Sequence, residues 1–323
     1  MSIGDDFQAH SVAFGLISRP DRKVRTMEIA TRCAVCDSLG NAREVFPSTV
    51  DANSFTADVF SARRLPDRRH YRWVTCNNCG MYRSDPVSDI NLDDLYRNSS
   101  FDYSGEVHGL KNSYRKIVAK TCPNPRDKDL IEIGGGNGFF LEEALDIGFK
   151  TVREVEPSVD ARDQAPEHLK QYFITDMLRP NLIPNESADV AVIFHVLDHL
   201  PDPLDTLKLI LKTLKPGGSI CIAVHNVKSI SATLLRSKSP IFDVEHTYLY
   251  SKKTLKLLLE KAGYSEIEIR HYKNSYSIAY LVHLLPIGRF LKTRILTSDL
   301  GTFLRRIRVT VPLGNMFAVA RKS

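Results

Sequence analysis

The chain has 323 residues, 43% of them hydrophobic and 25% charged, with a formal net charge of +6, enough to bury a full core in one large domain plus a small one. Its apolar runs are short, Ala188 to Phe194 being broken by Asp189, and they fall well below the roughly 20 residues that cross a bilayer, so no transmembrane helix is expected. Asp5 and Asp6 stand where a signal peptide would be basic and then apolar, which makes export unexpected and the cytoplasm the expected compartment.

Residues 1–28 read as an N-terminal extension and 29–90 as a zinc-binding module. Four of the six cysteines form two pairs, Cys33-Ala-Val-Cys36 and Cys76-Asn-Asn-Cys79, and Gly80 follows the second. Two residues between thiolates let one tight turn aim both sulfurs at one ion, and two such turns complete a tetrahedral zinc site. With cysteine at all four positions, no coordination site stays open, so the expected ion is structural. Gly80 suits the positive φ of a knuckle turn. A redox pair or unrelated buried thiols are the alternatives, although a redox motif has no use for a second matching pair. An insertion is expected between Asp51 and Arg69, carrying the basic cluster Arg63, Arg64, Arg68 and Arg69. Cys122 and Cys221 are expected to be packing thiols.

Residues 91–125 read as a linker and helical cap. After Pro123 and Pro125, strand and helix signals alternate over 126–282, the pattern of a parallel sheet covered by helices on both faces. Asp129 to Ile133 reads as a buried strand, followed by Gly134-Gly135-Gly136-Asn137-Gly138 and a helix through Phe139, Leu141, Ala144 and Leu145. A strand, a glycine turn and a helix N-terminus form a cofactor loop. Counted from Gly134, the last position of a dinucleotide fingerprint is Phe139, which weakens a hydride-transfer reading. The next strand, Val152 to Val155, ends at Glu156, about 20 residues beyond the loop, where a carboxylate accepts ribose hydroxyls. Tyr172 to Ile174 reads as a third strand leading to Asp176, and Ala188 to Phe194 as a fourth leading into His195-Val196-Leu197-Asp198-His199-Leu200-Pro201-Asp202-Pro203. A helix over Leu204 to Leu214 is expected to close on Lys215-Pro216-Gly217-Gly218, with strand five from Ser219 to Val224. A helix from Ser251 to Ala262, a strand from Glu266 to Arg270 and a last strand from Gly314 to Arg321 complete seven strands.

Glu132-Ile133-Gly134-Gly135-Gly136-Asn137-Gly138, the Glu156-Pro157-Ser158 strand end, the Asp176 loop, the run from His195 and Lys-Pro-Gly-Gly before an apolar strand together resemble class I methyltransferases, over roughly Asp129 to Ser323. The resemblance implies an α/β, Rossmann-like seven-stranded domain, preceded here by a small zinc-ribbon-like domain. It implies S-adenosylmethionine as cofactor, approached by Gly134, Gly136 and Gly138. Glu132 would organise its amino group, Glu156 its ribose, Asp176 its adenine, and His195 would lie beside it. Tyr96 and Tyr103 are similar to aromatic residues that cover the cofactor in such enzymes.

A methyl on sulfonium is already electrophilic, so the enzyme aligns an acceptor and, for a hydroxyl, removes a proton. Histidine is the natural base near neutral pH, and His195, His225 and His246 all follow strand ends or precede a helix. Asp243-Val244-Glu245-His246-Thr247-Tyr248 resembles the Glu-His segment of sugar-nucleotide C-methyltransferases, a family that also begins with a four-cysteine zinc domain, and the reading extends to methyltransferases of polysaccharide biosynthesis. By that resemblance His246 is the base and Glu245 its assistant. The family's tyrosine three positions before the histidine is Asp243 here, and its long carboxy-terminal domain has no counterpart. Both departures move the expectation from a sugar carbon to a sugar or glycan hydroxyl.

Residues 283–323 read as a basic lid segment plus the final strand. From Arg289 onward, eight Arg and Lys residues are opposed only by Asp299, a balance that suits an anionic acceptor or peripheral contact with anionic lipid. An RNA methyltransferase is the first alternative, weakened by the lack of an Asn/Asp-Pro-Pro-aromatic run after strand four. A non-catalytic zinc scaffold is the second, opposed by the retained Glu132, Glu156 and Asp176.

Overall fold

The structure is a computed structural model that describes residues 27–50, 69–89, 92–97, 107–284, 288–312 and 314–323. The insertion from Asp51, with Arg63, Arg64 and Arg68, and Tyr103 lie outside the described residues.

The main sheet has seven strands, in the order Tyr264–His271, Asn315–Lys322, Leu214–His225, Ala188–Phe194, Asp129–Ile133, Thr151–Val155 and Phe173–Ile174. The last five of these pair in parallel, and Asn315–Lys322 runs antiparallel between its two neighbours. This is the α/β, Rossmann-like seven-stranded architecture expected from the sequence. Ala188–Phe194 sits at the centre with every residue but Asp189 buried, because a parallel strand covered by helices on both faces needs apolar side chains on both. Asp189, the second residue of that strand, lies beside Asp129, and Lys215 bridges the two carboxylates at 2.6 and 2.7 Å.

The covering helices start and stop on local chemistry. Asp202 caps Pro203–Thr213 through the Asp205 amide, with proline at the first turn, and Ser251 caps Lys252–Ala262 through the Thr254 amide. Leu255, Leu258, Leu259 and Ala262 face the core on helical spacing, each leucine contributing about 1.5–3 kcal/mol by burial. One boundary differs from the sequence expectation. The helix ends at Thr213, and Lys215-Pro216-Gly217-Gly218 lies inside the strand Leu214–His225, where Gly217 at φ 75° accompanies a register shift between Leu214 and Ser219. The glycine kinks a strand instead of closing a helix.

The cysteine region forms a four-stranded antiparallel sheet in the order Tyr248–Leu249, Tyr82–Ser84, Trp73–Cys76 and Ala42–Phe46. Its edge strand therefore comes from far along the chain, beginning two residues after His246. Trp73 is fully buried and packs edge-on against Phe242 at 5.4 Å. The segment 283–312, left without assigned structure by the sequence, holds helices Arg289–Leu296 and Asp299–Arg306 and a strand Arg308–Val311 that pairs with Asn274–Ser277. Among the described residues, no helix is long and apolar enough to cross a membrane.

Candidate active site

A cavity of about 1540 Å³ opens over the carboxyl ends of the parallel strands. Glu132, Gly134, Gly136, Glu156, Asp176, His195, His225, Glu245 and His246 all line it, so three glutamates, one aspartate and three histidines named from the sequence meet in one space. Gly138 does not line it. It starts the helix Phe139–Ile147 at φ 73°, and a Cβ there would press on Phe173 at 3.1 Å.

The glycine turn works through close approach. Gly134 and Gly136 take φ of 73° and 68°, values that L side chains rarely adopt. Gly135 has no such φ, yet a Cβ on it would lie 2.1 Å from Glu154 Oε2 and 2.4 Å from Glu132 Cδ. The turn thus lies directly over a pair of carboxyl groups. Its amides bind one of these and a third: Gly135 N donates to Glu154 Oε1 at 2.7 Å and Gly136 N to Glu156 Oε2 at 3.0 Å, while Ser158 N donates to the other Glu156 oxygen at 2.9 Å.

Glu154 was missed by the sequence reading. It pairs in register with Glu132 across adjacent strands and is fully buried, and the signal available was an acid on the inward side of the alternation Val152, Glu154, Glu156. Burial raises the affinity of Glu132, Glu154 and Glu156 for protons, and Glu132 is pushed up to about 7. For Glu154 the neighbouring Glu132 charge adds to burial. Three crowded acids, with no ion-pair partner among the described residues, have the chemistry to attract a cation.

Asp176 is held differently. Arg179 donates to it at 2.7 and 2.9 Å and Arg97 pairs with its other oxygen, which keeps its carboxyl below the usual range. Tyr96, the neighbour of Arg97, also lines the cavity.

At the opposite side, histidine rings pack on one another: His195 and His225 at 4.7 Å, His225 and His246 at 5.2 Å, and His199 and His246 at 4.6 Å between centroids. His246 Nδ1 lies 2.8 Å from the Ile241 carbonyl. A carbonyl only accepts, so Nδ1 carries the proton and Nε2 is the basic nitrogen. Burial, then the His246 charge, lowers His225 to about 3. His195 takes φ 55°, a conformation that costs a non-glycine residue about 1–3 kcal/mol, and its amide is fixed to the Ala223 carbonyl at 2.8 Å. His199 and Asp198, present in the run read from the sequence but not singled out there, belong to the same cluster. The available signal was their place in the run that directly follows the central strand.

The cysteine module reaches this site through the backbone. Ser84 N donates to the Thr247 carbonyl at 2.9 Å, and Ser84 Oγ donates to the His246 carbonyl at 3.0 Å. Within the module, Cys33 and Cys79 sulfurs lie 3.4 Å apart and Cys36 and Cys76 sulfurs 3.5 Å apart, all four within 4.8 Å of one another. Gly80 takes φ 82°, as a knuckle turn requires. A compact set of four thiol ligands fits a closed tetrahedral zinc site.

A family model for the methyltransferase domain matches residues 107–269, just over half of the chain. The chain belongs to that family. It is 26% identical to a tRNA U34 carboxymethyltransferase of Campylobacter fetus over 47% of this chain and 56% of that protein, so the match spans about half the length of that relative. It is 26% identical to a ubiquinone biosynthesis O-methyltransferase of Aliivibrio fischeri over 62% of this chain and 96% of that protein. Among solved structures it is similar to an S-adenosylmethionine-dependent methyltransferase of Thermotoga maritima at 20% identity, with a TM-score of 0.45 over 67% of this chain and 92% of that one.

Proposed function

We propose that this methyltransferase methylates a hydroxyl of a sugar or glycan, with His246 as the base and Glu245 beside it. The observation that carries the reading is the shared cavity, in which the buried carboxyls of Glu132 and Glu156 stand across from a histidine whose basic nitrogen is set by the Ile241 carbonyl. Bound S-adenosylmethionine supplies an electrophilic methyl group. In this reading Glu132 takes the cofactor's ammonium, Glu156 its ribose hydroxyls, and Gly134 and Gly136 leave room for its backbone-facing edge, with His195 alongside. Asp176 takes the adenine amino group once Arg97 or Arg179 yields. The chain's remaining task is to hold an acceptor oxygen in line and move its proton to His246 Nε2.

Support for a hydroxyl acceptor comes from the Aliivibrio O-methyltransferase, matched over nearly its whole length. The similarity to tRNA-modifying enzymes covers a smaller share of those proteins and makes RNA the second reading.

The domain plan that goes with this function has a zinc-binding module at 29–90, a linker and cap at 91–125, a core at 126–282 and a basic lid with the final strand at 283–323. Zinc in the four-cysteine cluster would stiffen the sheet whose edge strand follows His246. Leu284, Leu296, Arg305 and Arg308 line the cavity from the lid. Phe290, Leu291, Leu300 and Phe303 are exposed on its helices, beside exposed Arg294, Arg305 and Arg306, a combination that suits peripheral contact with an anionic, cytoplasm-facing membrane surface and a lipid-linked glycan.

The test is incubation with radiolabelled S-adenosylmethionine and a panel of sugar nucleotides, lipid-linked glycans and RNA, with flotation on anionic vesicles in parallel. Label in a carbohydrate hydroxyl is the expected result. Label only in RNA would replace this reading by the second, and absence from the floated fraction would remove the membrane contact.

A further inference from the structure

We propose that His195, Asp198 and His225 form a binding site for a divalent transition-metal ion on the floor of the cavity, separate from the cysteine cluster. One ligand atom from each of the three lies within 4.8 Å of the other two, close enough for a single ion to bridge them after small side-chain adjustment. Asp198 is fully buried, and its Oδ1 has no hydrogen-bond partner among the described residues. A buried carboxylate oxygen left without a partner is costly, and a cation between the two rings would supply what it lacks.

The atoms that would not bind metal are already fixed, each by a partner of the right kind. Nε2 of His195 lies 3.0 Å from the Tyr272 hydroxyl, and Nδ1 of His225 lies 3.0 Å from Asn315 Oδ1. The Asn315 amide is oriented in turn by donating to the Tyr276 hydroxyl at 3.0 Å. Asp198 Oδ2 accepts the His225 amide at 3.1 Å. Metal-binding histidines are commonly held this way, with the far ring nitrogen on an oxygen partner that fixes tautomer and orientation. The remaining nitrogens, His195 Nδ1 and His225 Nε2, would be the ones to hold the ion together with Asp198 Oδ1.

Two imidazoles and one carboxylate leave coordination positions open, unlike the four thiols of the cysteine cluster. Imidazole ligands favour zinc, iron, nickel or copper over magnesium or calcium. Because His195 and His225 line the cavity, the open positions face the acceptor space. There the ion would bind an acceptor hydroxyl, or two adjacent ones, and lower the hydroxyl's hold on its proton. His246, whose ring touches that of His225, would then receive that proton. This role rests on the acceptor reading above, whereas the binding of the ion does not.

The experiment strips the full chain with chelator, restores one equivalent of zinc to the cysteines, and titrates Co²⁺ by absorption and calorimetry. One further equivalent of Co²⁺ is expected, with the weak ligand-field bands of nitrogen and oxygen donors and without thiolate charge-transfer bands. His225→Gln should abolish it, and the milder Tyr272→Phe, which removes only the oriented hydroxyl, should weaken it by about 10-fold or more. No Co²⁺ beyond the zinc equivalent, or binding that both variants leave unchanged, would overturn the site. The two readings separate cleanly. Co²⁺ bound without methylation of any hydroxyl supports the site and removes the acceptor reading; full methylation by chelator-stripped enzyme that takes up no Co²⁺ does the reverse.

Discussion

At one side of the cavity, three carboxyls stand at the ends of two neighbouring strands, and two of them, those of Glu154 and Glu156, accept the amides of a single glycine turn. At the other, the histidines arrive from three separated segments, after Ala188–Phe194, at the end of Leu214–His225, and just before Tyr248–Leu249. The first side is assembled by local strand pairing and is rigid by construction. The second exists only when the cysteine module, the central sheet and the segment 239–247 are all docked. Cofactor binding and proton transfer are therefore expected to fail independently when mutated.

His246→Ala tests that separation most strongly. Turnover should fall by about 100-fold or more while S-adenosylmethionine affinity by calorimetry is kept; a parallel loss of affinity would show that the two sides are not independent. Gly135→Ala attacks the other side. The added methyl would enter the space of the Glu154 and Glu132 carboxyls, so a loss of about 1–3 kcal/mol of stability in thermal unfolding is expected, together with weakened cofactor binding.

A pH titration sharpens the comparison further. Glu132 is raised to about 7 by burial, opposed in part by its bond to Glu154 and reinforced by the Glu156 charge. A raised carboxyl contributes stability below its unfolded value that is lost as pH rises through the folded one. The empty protein should thus lose stability between roughly pH 4.5 and 7, while affinity for the cationic cofactor rises over the same window, by about 10-fold per pKa unit at most. Affinity that is flat across that range would remove Glu132 from the cation site. The smallest effect belongs to Lys215→Met, far from the cavity. Asp129 and Asp189 are held below the usual aspartate range: burial opposes this, but Lys215 and neighbouring donors outweigh it. Depressed carboxyls stabilise above their unfolded value and lose that contribution as pH falls. With Lys215 partly exposed, the cost near neutral pH should stay below about 1 kcal/mol, and the variant and parent should converge once acid protonates both aspartates.

Much of the first side was legible because its signals are local. Continuous apolar strands such as Ala188–Phe194 announce a parallel sheet, and the glycines after Ile133 announce a turn. Glu154 escaped because an acid inside a strand reads as a solvent-facing residue until its cross-strand partner is known. Lys215 to Gly218 was assigned to a helix end because glycine and proline mark a break without saying which element is broken. The histidine side offered less. Each ring was a candidate by its position, but the contact of His246 with His225 and His199 depends on a chain segment clamped by Ser84, more than 150 residues away, and no periodicity encodes that. The helices at 289–306 leave Phe290 and Phe303 exposed, so the apolar stripe that normally betrays a helix was not one that faces a core.

The most direct test of the cavity as a cofactor site is calorimetric titration with S-adenosylmethionine of the parent chain and of Glu156→Gln. One equivalent should bind the parent, and loss of a charged hydrogen-bond acceptor should weaken the variant by about 10-fold or more. Equal affinity in both, or no heat in the parent, would contradict it.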